Sequence, residues 1–142
     1  MATVLQVADA VTARINAAEL SRAVTAERLY VPSFELADLK SMRVSVVPQE
    51  LAIEALDRAS CRYNARIDVA VQQKFNSGSL AEIDPLIAFV EEIADLFRMQ
   101  RLPSMPEARC IGVEMPVIYS AEMWEQNRLF TSLMTLTFMF AR

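Results

Sequence analysis

Asp57 and the segment Gln72-Gln73-Lys74 carry the residue types nearest to a catalytic set in this sequence. Carboxylates that hold Mg²⁺, beside a lysine that activates water, are the parts of metal-dependent phosphodiester cleavage. The set is incomplete. Gln72 stands where the second acidic ligand is needed, and no Pro-Asp pair precedes it. A strand that ends in Gln-Gln-Lys reads more simply as one running out into solvent. Glu91, Glu92 and Asp95 form a second acidic group. Glu91 and Asp95 lie one turn apart on the polar side of an expected helix, and with no partner ligands they read as a solvated face rather than a metal site.

The chain has no histidine. Ser-His and Cys-His nucleophile pairs, histidine general bases and histidine metal ligands are thereby removed together. Its two glycines, Gly78 and Gly112, cannot supply a GxGxxG or GxxxxGK[ST] phosphate loop, which excludes the usual NTPase and dehydrogenase chemistry. Cys61 and Cys110 are too few for a disulfide framework or, without histidine, for a zinc site. They read as reduced, buried, small apolar residues. No catalytic residue, cofactor or metal is expected.

Against 18 acidic residues stand 14 basic ones, for a net charge of −4, which argues against a protein that coats DNA. Arg28, Arg43, Arg58, Arg62, Arg66 and Arg109 fall in expected strands, where they either form a locally basic sheet face or pair with acids across strands or subunits. The N-terminus has no basic stretch before its apolar residues, so it does not read as a secretory signal and the chain is expected to stay in the cytoplasm. The longest uncharged run, Leu129 to Ala141, is short of the ~20 residues a membrane helix needs, and its threonines suit a buried strand.

The elements that must position these residues follow from periodicity. Val4, Val7, Val11, Ile15 and Ala18 repeat at three- and four-residue steps behind a Thr3–Gln6 capping box, which predicts a helix over about 4–18. Leu29-Tyr30-Val31 and Met42 to Val47 read as short strands closed by Pro32 and Pro48, with a loop over 33–40 between them. Alternation resumes at Leu51 and Ile53 and runs through Tyr63, Ala65, Ile67, Val69 and Val71, with Arg62, Asn64, Arg66 and Asp68 on a wet opposite side. Asp84-Pro85 reads as an N-cap and first helical residue, with Ile83, Ile87, Val90, Ala94 and Phe97 striping a helix to about Met99. Strands over Arg109–Tyr119 and Leu129–Phe140 complete the order α-β-β-β-α-β-β. This predicts a single α+β domain over residues 1–142, an antiparallel sheet with two helices packed on one face.

Two segments lack the periodicity that would bury them, yet carry large apolar side chains: the Pro32–Lys40 loop and the Tyr119–Arg128 connection. Phe34, Glu35 and Leu36 in the first, and Met123, Trp124 and Arg128 in the second, are the candidate interface residues. Arg128 could pair with an acid such as Glu35 across a subunit boundary, or simply be solvated.

Leu29-Tyr30-Val31-Pro32-Ser33-Phe34-Glu35-Leu36, Arg66 to Gln72, Asp84 to Phe97 and Phe130 to Phe138 resemble stretches of small virion proteins of tailed bacteriophages. The element order is similar to that of tail terminator (tail completion) proteins, and the resemblance spans most of the chain. It implies a homo-oligomer, a hexameric ring on the head-proximal end of the tail tube that stops polymerisation of the tail tube protein and meets the head–neck connector protein. It brings no catalytic residues and no membrane, and it places the protein in the virion tail or neck, assembled in the host cytoplasm. Genomic DNA would pass through without specific binding; six copies at −4 would total about −24 around the channel, which would keep DNA from sticking. The same likeness admits another head–tail connector or tail tube-related structural subunit. A PD-(D/E)xK-like nuclease using Asp57 and Lys74 is the remaining enzymatic reading.

Overall fold

The structure is a computed structural model and describes residues 2–31 and 39–142. The element order is α1 (Thr3–Ala17), β1 (Ala26–Arg28), β2 (Arg43–Ala55), β3 (Cys61–Lys74), α2 (Leu80–Phe97), β4 (Arg101–Leu102), β5 (Met105–Val117), α3 (Ala121–Asn127) and β6 (Leu129–Ala141). The fold is α+β. Among the described residues six strands form one sheet in the order β1-β2-β3-β6-β5-β4.

The sheet is mixed, which corrects the antiparallel expectation. Ala26, Glu27 and Arg28 pair in parallel with Val44, Ser45 and Val46, while every other pairing is antiparallel. The alternation of side chains is the same for either strand direction, so period alone does not report it. The strand also lies three residues earlier than Leu29-Tyr30-Val31. The amide of Asn16 fixes it there, its Oδ1 accepting from Ala26 N at 2.7 Å and its Nδ2 donating to Ala26 O at 3.1 Å.

Pro48 does not close β2 as expected. The strand continues to Ala55 through a register shift between Pro48 and Glu50. Because β1 reaches only as far as Val46, with Leu29 N donating to Val46 O at 2.9 Å, the missing N–H of Pro48 falls at an open edge, where a proline can be accommodated. Arg58 is likewise outside a strand, in the turn between β2 and β3.

Side chains at paired positions share a face. Val44, Val46, Ala65, Ile67, Val69, Val71, Met134, Leu136 and Phe138 make one apolar face, joined in a single core with Val7, Val11 and Ile15 of α1 and Ile83, Leu86, Phe89, Val90, Ile93 and Phe97 of α2. Phe97 meets Phe138 edge to face, with ring centroids 6.2 Å apart. The opposite face is charged near the β2–β3 turn, where Glu54 pairs with Arg62 and Glu50 with Arg66 across the strands. Further along, Asp68 accepts from the Thr135 hydroxyl at 2.8 Å. Beyond that point the expected wet side is not wet: Ser45, Ala70 and Gln72 are buried. Alternation shows which residues share a face, not whether that face is covered.

The three helices among the described residues do not share one face, and there the chain order has two elements beyond the expected set, the two-residue β4 and the short α3. Helix α3 sits against β6 near the end of the sheet, with Ser120 N donating to Thr131 O at 3.0 Å. The capping expectations also change. Ala2 is the N-cap of α1 and no side chain caps it, because Thr3 is already inside the helix. Helix α2 begins at Leu80 rather than at Pro85. Glu82 Oε1 accepts from the backbone of Asn76 (2.9 Å) and Gly78 (3.2 Å), which folds the preceding loop onto the first turn and leaves Pro85 inside the helix. Among the described residues no helix is long and apolar enough to cross a membrane.

Candidate interaction surface

The segment Asn76 to Ser79 turns the chain from β3 into α2, and Gly78 makes the turn with φ +67°. A Cβ at this position would lie 2.9 Å from the Trp124 ring and 3.1 Å from the Phe75 ring. Both the left-handed backbone and the close approach therefore require glycine. Trp124 comes from α3. Ser120 caps that helix, its Oγ accepting from Met123 N at 3.4 Å, and Arg128 closes it in the left-handed region, its N–H donating to Trp124 O at 3.1 Å. The Trp124 ring rests on Phe75 (centroids 4.3 Å) and on Tyr119 (5.5 Å).

Trp124 and Tyr119 wall a groove of about 510 Å³ between α2 and α3, with Leu80, Ile83 and Ile87 opposite and the carboxylates Asp84 and Glu125 on its rim. Leu80 is 79% exposed, and Ile118 and Tyr119 are about half exposed. Ile111 on β5 and Ile118 and Tyr119 just past its end put exposed apolar side chains at intervals along one edge of the sheet, an apolar border. This border follows backbone that has no strand partner: β4 pairs with β5 only at Met105 and Arg109, so among the described residues Ile111–Val117 is unpaired on its outer side.

The other side of the sheet has a different apolar border. Tyr30 is 69% exposed, and Val31, Ile53 and Leu56 are also exposed. Beyond Val46 the outer backbone of β2 pairs with no described strand. The two borders differ in sequence, and both are edges at which another chain can pair.

Of the sequence-predicted interface residues, Phe34, Glu35 and Leu36 lie outside the described residues. Met123 is half-buried, and its sulfur accepts from Asn127 Nδ2 at 3.8 Å. Trp124 is half-buried against its own chain and offers the groove only its remaining edge. Arg128 donates to Asn76 O at 2.7 Å. The structure thus joins Trp124 and Arg128 to the 76–78 turn, with Trp124 in a helix, and Arg128 closing it, where a loop was expected. Leu80, Ile118 and Tyr119 were not singled out by sequence reasoning. The three- and seven-residue steps from Leu80 to Ile83 and Ile87 are the signal that could have found the groove.

The incomplete catalytic pattern is not brought together. Asp57 sits in the β2–β3 turn, where Ala59 N and Ser60 N each donate to its Oδ1 at 2.8 Å and hold its carboxyl below the usual range. Lys74 is at the other end of the 14-residue β3, on the order of 40 Å away at ~3.3 Å per residue. Glu92 is engaged by Ser21, through N (2.7 Å) and Oγ (2.6 Å), and Asp95 pairs with Arg98 at 3.7 Å. No three His, Cys, Asp or Glu side chains among the described residues are grouped to hold a metal. Cys110 is buried, and burial pushes its thiol pKa up, whereas Cys61 is half-buried; both are free. Compared with known proteins, the chain matches no protein-family model and no curated protein sequence.

Proposed function

We propose that the protein is a ring-forming structural subunit of a tailed-phage virion, a tail terminator that sits on the head-proximal end of the tail tube, ends its growth and joins it to the neck. The observation that carries this reading is the pair of dissimilar apolar borders on opposite sides of one sheet. A subunit with two different sticky edges associates head to tail, and such a contact makes a closed ring when the rotation per subunit closes, or a filament when it does not. Closure suits a part that must stop a polymer rather than extend it. In this reading β2 of one copy, with Tyr30, Ile53 and Leu56, faces β5 of the next, with Ile111 and Tyr119. The net charge of −4 per copy gives the assembled ring an acidic field that repels DNA phosphates in transit.

The test is genetic. Removing the coding sequence from its phage is expected to give tail tubes of unregulated length that fail to join heads, seen by electron microscopy. Tails of normal length attached to heads would contradict the proposal.

A further inference from the structure

The positive charges of this acidic chain are unevenly neutralised. Arg28, Arg62, Arg66, Arg98 and Arg142 each pair with a carboxylate. At the end of β3 the pattern reverses. Both lysines of the chain, Lys40 and Lys74, line one cavity of about 440 Å³ together with Arg22. Neither lysine has a hydrogen-bond or ion-pair partner among the described residues, and Arg22 donates to the neutral Oε1 of Gln73 at 3.3 Å. The guanidinium of Arg128 sits beside the cavity, bonded to the Asn76 carbonyl. The one carboxylate in the lining, Glu82, already accepts two backbone N–H groups through Oε1. The floor is apolar, formed by the buried side chains of Phe75 and Leu86. Three cations thus line one concave site in which, among the described residues, Glu82 is the one carboxylate, and neither lysine is paired with it.

We propose that this cavity binds phosphate oxygens, with Lys40, Lys74 and Arg22 as the charge-bearing ligands. Two ammonium groups and a guanidinium on the walls of a depression offer donors from several directions, which suits a tetrahedral oxyanion better than a planar carboxylate. The phosphate can belong to a free nucleotide or to a DNA backbone, since the recognised chemistry is the same. The proposal does not depend on the ring reading.

The test uses the full chain at low salt, with two probes: inorganic pyrophosphate by calorimetry and a short fluorescent DNA duplex by anisotropy. Replacing both lysines, Lys40→Glu with Lys74→Glu, is expected to weaken binding at least about tenfold and to flatten the salt dependence of duplex binding by about 2 in log–log slope. The charge-matched control Arg58→Glu with Arg109→Glu changes exposed arginines elsewhere and is expected to leave binding unchanged. Pyrophosphate binding without duplex binding assigns the site to free phosphates. A duplex signal that pyrophosphate displaces assigns it to the nucleic acid backbone. The proposal is overturned if the wild-type chain binds neither probe, if the lysine variant binds as tightly as wild type, or if the arginine control loses as much as the lysine variant.

Discussion

Phe97→Ala is expected to destabilise the fold by about 3–5 kcal/mol, the range for deleting a fully buried aromatic side chain and leaving a cavity. Phe97 is 1% exposed and lies where the last turn of α2 meets the sheet, edge to face with Phe138. Its neighbours Ile93, Leu136 and Phe138 are themselves fully buried and come from rigid elements, so the site collapses poorly around the lost ring. Since a domain of this size is stable by only ~5–15 kcal/mol in all, the loss is a large fraction of the total. Urea denaturation followed by circular dichroism measures it. The midpoint should fall with the slope unchanged, and an unmoved midpoint would remove α2 from the core described above.

The second large effect concerns association. Ile53→Asp with Leu56→Asp places charge on the β2 border, and Ile118→Asp with Tyr119→Asp does the same on the β5 border. All four side chains are at least about half exposed, so each variant should fold. Anchors at the centre of an interface contribute about 2 kcal/mol or more each, enough to abolish a contact repeated around a ring. Each variant alone is expected to remain monomeric. An equimolar mixture should form a dimer, because each partner retains the border that the other lacks. That result is specific to a head-to-tail contact. In a two-fold contact, each variant would fail or succeed independently of the other.

What the sequence made legible, and what it did not, divides along physical lines. The Ile83-to-Phe97 stripe and the alternation through Ala65 to Val71 and Phe130 to Phe140 were readable because each pattern is long and one of its faces is buried deeply. Strand β1 was misplaced because its position depends on Asn16, a distant side chain that clamps Ala26 and so overrides the β-preference of Leu29-Tyr30-Val31. The start of α2 was shifted by Glu82, which organises the loop before the helix, whereas Asp84-Pro85 has the standard appearance of a beginning. Helix α3, seven residues long, is too short to show a period. Trp124 stood out by its type, but its seat did not: the requirement for glycine at position 78 comes from a ring more than forty positions further along the chain. Both apolar borders escaped notice because isolated exposed residues such as Ile53 and Ile118 become a surface only when the sheet order puts them on one side.

The most direct test of the central claim is the mass and shape of the purified protein in solution, by light scattering with negative-stain imaging. The account predicts a closed ring with a central channel, and six copies of 15.9 kDa would give about 95 kDa. A 15.9 kDa monomer at every concentration, or open filaments of indefinite length, would contradict it.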